Sequence, residues 1–336
     1  MINAFREGRI VGPAGQLKPS ACVLTRRSVL LMTPRSVLKL RRPVTLEDNR
    51  NTTRAGRIAD SEQELWIGRR ASPGLYLGDC GIRLHPEGAT LVSGIDPALE
   101  PVVAMLRLPD AQCAREVLRD CGDPTARLRP LMLRIAAFHA DAPLHRAHDG
   151  YGAPGRIAKR WQALVSSLPD PILGPDARNA LIEQTGGWLT ELEGTFAHRV
   201  MEGRLRHIHG GLRLEHIFLD VTIHGSDETV AIIDPCEAGE DAHFTDTAED
   251  VALLAVDLDA HGHRDVSDAV LDVYAGITGD RTLRSVTPFF KRLQALRRAG
   301  EIYADAQADS DAAMRENGEQ AARLCVDLAM RYGGLV

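Results

Sequence analysis

The chain has 336 residues, 44% hydrophobic and 26% charged, with a net charge of −6. That balance fits a globular protein long enough for one large two-lobed domain or two small ones. No apolar run has the length a bilayer span needs, the opening MINAFREGRI lacks the apolar core of a secretory signal, and no nucleic-acid signature appears.

The six cysteines (Cys22, Cys80, Cys113, Cys121, Cys236 and Cys325) form no CxxC pair. This argues against zinc and against a disulfide framework, and implies free thiols in a reducing cytoplasm. Residues 1–70 hold 14 Lys or Arg against 6 Asp or Glu, and the remainder holds 26 against 40. A basic front suits a polyanion such as a nucleotide triphosphate, and an acidic back suits a cationic partner; most individual charges are expected on solvated faces.

In chain order, ACVLT, SVLLM and SVLKLRR across residues 20–42 read as strands separated by RR and TPR turns. Residues 57–71 read as a helix, acidic early and basic late. YLGDCGIRLHPEGATLVSG reads as a hairpin, and PVVAMLRL as a buried strand that stops at Pro109. Residues 111–120, 127–141, 155–168 and 176–203 have helical period. The short strands HIFLD and TVAIIDP then interrupt, and helices resume near residue 246, ending in an amphipathic helix over 311–332 that packs on its neighbours or meets another subunit. Trp66, Trp161 and Trp188 are expected in cores or in packing between lobes, not as stacking platforms, and HGHRD and DAHFTD in loops and helix caps. The order predicts an α+β protein: a small β-rich lobe over 1–108, then a helical lobe over 109–336.

Three segments carry chemistry. Lys39 interrupts the apolar strand VLKL, pointing away from Leu38 and Leu40. It is either an edge-strand charge that discourages aggregation or a phosphate-binding lysine held by Glu62 or Glu64. HIHGGLRLEHIFLD groups His207, His209 and His216, but the spacing fits no metal motif and no nearby carboxylate completes one. Asp234 in AIIDPCE ends a buried strand, where it either caps a turn or offers a rigid oxygen to magnesium.

A strand lysine, helix glutamate, apolar connector, HG loop and strand-end aspartate follow the order of parts in kinase-like phosphotransferases. The chain resembles bacterial aminoglycoside-phosphotransferase-like enzymes within the protein-kinase-like fold. VLKLRRPV is similar to the family's VYKIKKPV, ELWIGRRASPGLYLG to EVELNRRLAPDLYLG, VVAMLRLP to VVMRRLP, LRIAAFHADAP to LAAFHARAP, IIDPCE to LFDAIEF, and EDVALLAVDLDAHG to YDLAFLLMDLE. The resemblance implies ATP and Mg²⁺ as ligands. It places Lys39 on the phosphate lysine, Glu64 on its partner, Met105 and Arg107 on the adenine connector, Asp234 on the magnesium aspartate, and Asp250 on the helix that braces the catalytic loop.

The family loop HGDLHLGN reads HGGLRLEH here, over residues 209–216. His209 is kept. Gly211 replaces the proton-accepting aspartate, Arg213 the following histidine, and His216 the metal-binding asparagine. The resemblance therefore implies a pseudokinase that retains some nucleotide binding and acts as a regulatory or assembly subunit. The alternative is an active phosphotransferase or nucleotidyl transferase with a rebuilt site, in which Glu215 is a candidate substitute. Its acceptor would be a small hydroxylated molecule or a protein. A third reading is an interaction module whose arginine pairs (26–27, 41–42, 69–70) meet an acidic partner. A protein partner, a second copy of the chain and a small-molecule acceptor all stay open.

Overall fold

The computed structural model describes residues 1–13, 15–44, 50–119, 121–144, 154–223, 225–236 and 243–332. Glu237, which closes the IIDPCE segment, and Asp241 and Ala242, which open DAHFTD, lie outside the described residues. Contacts divide the chain into two units, one built from 1–120 and 215–239, the other from 121–214 and 240–336.

The first unit is organised on a sheet of eight described strands: β1 (Ile10–Gly12), β2 (Gly15–Gln16), β3 (Ala21–Leu24), β4 (Ser28–Met32), β5 (Ser36–Arg41), β6 (Tyr76–His85), β7 (Gly88–Ser93) and β8 (Glu100–Leu106). Their order is β2-β1-β7-β6-β8-β5-β4-β3. Neighbours are antiparallel except β1 and β7, which run parallel. That parallel contact needs Gly88: at φ 158 it lies near extended backbone, and a Cβ there would stand 2.0 Å from the Arg9 carbonyl oxygen, which accepts the Ala89 N–H at 3.0 Å.

Strand β5 is not an edge. It pairs with β4 on one side and β8 on the other, so its alternation serves two buried faces. Leu38 and Leu40 join Phe5, Ile10, Leu31 and Val102 in one core. Val37, Lys39 and Arg41 take the opposite face, and Lys39 is only 6% exposed. The edge-charge explanation of Lys39 therefore fails on topology.

The helix Arg54–Ala71 belongs to the same unit. The Thr53 side chain caps its start by accepting the Gly56 N–H at 3.1 Å. Its buried stripe mixes Arg57, Asp60, Ser61 and Glu64 with Leu65, Ile67, Gly68 and Ala71, so ordinary amphipathicity marks it poorly. Glu64 lies on this stripe, whereas Glu62 and Trp66 face solvent. Trp66 is 43% exposed, not core, and the Arg70 guanidinium sits 4.6 Å from its ring centroid. At the far end, Ser72 Oγ donates to the Ile232 carbonyl (2.8 Å) and accepts the Ile232 N–H (2.6 Å). That double bond fastens the helix to the hairpin Ile217–Leu219/Val230–Ile232.

The second unit is helical: Pro124–Ala140, Pro154–Ser167, Pro175–Glu191, Glu193–Met201, Thr247–Ala260, Arg264–Thr278, Leu283–Gln307 and Ala312–Arg331. The helical period over 176–203 conceals a break at buried Leu192, which caps one helix and begins the next. FTD, read from sequence as cap and loop, is a short strand paired with Leu205–His207, and Asp246 also caps the following helix. Trp161 and Trp188 are buried, and the last helix turns Ala322, Val326 and Ala329 inward. Among the described residues, no helix is long and apolar enough to cross a membrane.

Arg199 is the electrostatic pin of this unit. Fully buried, it makes paired bonds to Asp246 (2.6 and 2.7 Å) and Asp280 (2.7 and 2.8 Å). Replacing Arg199 by Ala strands two buried carboxylates and is expected to cost about 3–5 kcal/mol in urea unfolding. Arg199→Lys is expected to recover little of this, because an ammonium cannot serve two forked acceptors.

Gly68 yields a second expectation. A Cβ there would stand 2.2 Å from the Tyr76 ring, whose hydroxyl meets the Asp234 N–H at 3.4 Å. Propensity alone favours Gly68→Ala by about 1 kcal/mol; thermal unfolding is expected to show the variant less stable than wild type.

Candidate functional site

In the first unit, Lys39 lies at the middle of a chain of charges. Its ammonium is 3.1 Å from Glu64 Oε2 and 3.2 Å from Oε1, and it also pairs with Asp234 Oδ1. Glu64 is shared, because the buried Arg41 guanidinium donates to its Oε2. Arg41 is thus an internal ion-pair partner rather than a surface contact, and Arg42 donates to the carbonyls of Thr25 and Arg26. The i, i+2 spacing of Lys39 and Arg41 on one strand was the available signal for this, since it puts both on one face.

Burial alone would lower the Lys39 pKa, but the carboxylates of Asp234 and Glu64 outweigh it and raise the pKa above its ordinary value. Burial would raise Asp234; Lys39 and then the neighbouring His216 outweigh it and hold it well below the usual carboxylate range. The site is therefore fixed as an ammonium between two carboxylates.

Asp234 also has unusual backbone geometry, with φ 57. Its Oδ2 stands 3.4 Å from His216 Nε2. A carboxylate therefore does stand beside one of the three histidines, brought there by the hairpin and not by the sequence around them. The register Ile217↔Ile232, together with the Ile233 N–H donating to the His216 carbonyl at 2.9 Å, sets the two residues on adjoining strand ends. Glu215 is half-exposed, with Oε2 3.8 Å from Arg115 and Oε1 3.9 Å from His216. Among the described residues, no group of three or more His, Cys, Asp or Glu side chains is arranged to hold a metal.

Met105 is buried in β8, opposite Val37 and Tyr76. The Arg107 N–H donates to the Arg35 carbonyl at 3.0 Å, so that donor is committed to the first unit's own backbone.

The loop 209–214 belongs to the second unit and is held from below by three side chains. Asp250 accepts the N–H groups of His209 (2.8 Å) and Gly210 (2.7 Å). Asp257 accepts the Leu214 N–H at 2.7 Å, and Arg297 donates to the Gly210 carbonyl at 3.1 Å. Gly210 takes φ 72, which favours glycine. Gly211 offers no side-chain acceptor. Asp250 is buried against His139 Nε2 at 3.1 Å, and Nδ1 of that ring meets the Tyr274 hydroxyl at 2.7 Å. An ionised carboxylate only accepts, so Nε2 carries the proton and Nδ1 accepts from Tyr274. His207 stacks on His243 with ring centroids 4.9 Å apart.

Arg213 is 3.0 Å from Glu301, which also meets Arg298 at 3.5 Å and Arg297 at 3.8 Å. Burial would raise Glu301, but Arg297, Arg213 and Arg298 together lower it. A carboxylate held below its ordinary pKa is a weak proton acceptor at neutral pH. Asp257, Arg297 and Glu301 were invisible as loop partners in the sequence, because they lie 43 to 88 residues further along on helices whose period marks only burial.

No protein-family model matches the chain. The structure of the GDP and kanamycin complex of APH(2")-IIia superposes with a TM-score of 0.53 at 14% identity, covering 92% of this chain and 94% of that one. A choline/ethanolamine kinase family protein from Mesorhizobium loti gives 0.51 at 12% identity over 94% and 92%. The fold is therefore that of the aminoglycoside phosphotransferases and choline/ethanolamine kinases, a protein-kinase-like α+β fold with a β-rich N-lobe and a helical C-lobe. Among curated proteins, uncharacterized proteins of Mycobacterium tuberculosis (strain H37Rv) and Mycobacterium bovis are each 27% identical over 280 residues, 82% of this chain. The chain spans about half the length of these relatives, 53% of each.

Burial alone would raise the Asp250 pKa, but the hydrogen bond from His139 and the His209 N–H outweigh it and hold it below its ordinary value; its stabilisation is therefore full above the unfolded carboxylate value of about 4 and is lost as pH falls toward the folded one. Asp250→Asn is expected to cost about 2–4 kcal/mol at pH 7, as one or both loop N–H groups lose a charged acceptor. It is also expected to flatten the loss of stability between pH 5 and pH 3, read by denaturant unfolding across that range.

Proposed function

We propose that this chain is a nucleotide-binding pseudokinase that works as a regulatory or assembly subunit. The observation that carries this reading is the contrast between the two sets of residues. In the first unit, Lys39 joins Glu64 and Asp234, and Arg41 on Glu64 balances the second carboxylate; the cluster is buried except at the half-exposed Asp234. In the second unit, the loop is firmly braced by Asp250, Asp257 and Arg297, yet its centre is Gly211.

Lys39 would supply charge to phosphate oxygens, and Asp234 would offer oxygen to a divalent metal. The segment through Met105 and Arg107 would border the base. The metal's chemistry is neutralisation of phosphate charge. Asp234 suits Mg²⁺ as a hard oxygen donor, whereas the imidazole of His216 does not. A missing general base removes about a hundredfold to ten-thousandfold, and the carboxylate beside Arg213 is kept too acidic to replace it.

The retained Lys39–Asp234 pair favours a second reading, an active phosphotransferase or nucleotidyl transferase with a rebuilt acceptor side. The two separate in one set of measurements. ATP with a divalent metal is expected to raise the melting temperature of the wild type, and Lys39→Met is expected to abolish that shift while remaining folded by circular dichroism. No acceptor-dependent consumption of ATP is expected across hydroxylated small molecules and proteins. Phosphate or nucleotide transfer that disappears in Asp234→Ala would establish the second reading instead.

A further inference from the structure

His216 and Asp234 form a donor pair with mixed chemistry, and resting on the nucleotide-binding reading above, we infer that they select a nitrogen-accepting first-row ion, of the Mn²⁺ or Co²⁺ class, over Mg²⁺. Lys39 takes Asp234 Oδ1, which leaves Oδ2 directed toward His216 Nε2 at 3.4 Å. That separation is longer than the usual N–H···O distance of about 2.9–3.0 Å. It fits two ligands of one ion: donors each about 2.1 Å from a shared metal stand about 3.0 Å apart at a right angle and about 3.4 Å apart at the tetrahedral angle.

The placement is set by backbone. Ile217 and Ile232 are paired partners, and the Ile233 N–H bonds the His216 carbonyl, so both donors leave the same end of one hairpin. Ser72 anchors the Ile232 strand to the helix that carries Glu64, so the hairpin cannot shift without disturbing the lysine cluster. Both side chains retain access to solvent, His216 at 16% and Asp234 at 39%. Two protein donors leave most of a coordination shell open, which nucleotide phosphate oxygens and water would complete.

The selectivity follows from ligand softness. Mg²⁺ is small, dehydrates reluctantly and takes oxygen; imidazole nitrogen gains little from it. First-row ions gain more than Mg²⁺ from a mixed nitrogen–oxygen donor pair, the gain rising along the series from Mn²⁺ to Co²⁺. The replacement of an amide oxygen by an imidazole at residue 216 therefore reads as a change of metal class, not simply as a lost ligand.

The test uses the full chain with ADP. Calorimetry with Mn²⁺ is expected to give binding about tenfold tighter than with Mg²⁺, and His216→Asn is expected to bring the two ions to near parity. Electron spin-echo spectra of the Mn²⁺–ADP complex are expected to show ¹⁴N coupling that disappears in His216→Asn, with the fold checked by circular dichroism. Equal affinity for the two ions in wild type, or nitrogen coupling absent from wild type or persisting in the variant, overturns the inference and leaves nucleotide binding standing. Binding of ADP with neither ion overturns both.

Discussion

The first unit depends on a quartet of alternating charge, Arg41, Glu64, Lys39 and Asp234, buried at the first three and half-exposed at the last. Charges taken out of water cost several kcal/mol each unless they meet partners of opposite sign with good geometry. Here two cations and two carboxylates cancel, and each carboxylate meets at least one cation. The quartet needs β5, the helix Arg54–Ala71 and the hairpin at 217–232 in place at once. Gly68, which admits the Tyr76 ring, and Ser72, which bonds both polar groups of Ile232, are the packing and hydrogen-bond conditions that allow it.

The second unit solves a similar problem around its loop. Asp250 takes two backbone N–H groups and is oriented by His139, which is oriented by Tyr274. Asp257 and Arg297 hold the loop's end and middle. A loop this well fixed is not a decayed segment. Its backbone is held at several points, its central residue is a glycine, and it is flanked by a guanidinium–carboxylate group made of Arg213, Arg297, Arg298 and Glu301.

Chain order and period gave most of the element sequence from residue 20 onward, because apolar alternation and helical spacing are local properties. The strands at 21–41, the hairpin from Tyr76 and the helices after Ala114 follow from them. The short strands Ile10–Gly12, Gly15–Gln16, Leu205–His207 and Phe244–Asp246 carry too few residues to show a period. Period misled at Leu192, where a break costs no change in hydrophobic pattern, and residue type alone did not show that Trp66 lies exposed under Arg70. Motif order made Lys39, Glu64, Asp234, Asp250 and the loop at 209–216 legible as candidates, since each sits at a recognisable strand end, helix or turn.

What the sequence by itself determined was which residues are present and in what order, including the absence of a carboxylate at Gly211. Tertiary structure alone decided who meets whom. Lys39 finds Asp234 across 195 residues, Arg199 finds Asp280 across 81, and His216 meets Asp234 only because a hairpin register aligns them. The physical reason is that ion pairs and metal donors are chosen by distances of a few ångströms in space, and a buried charge must take whichever partner the packing delivers. Gly211 is thus a gap written in the sequence, while the meaning of His216, as a lost ligand or a different one, is written in its distance from Asp234.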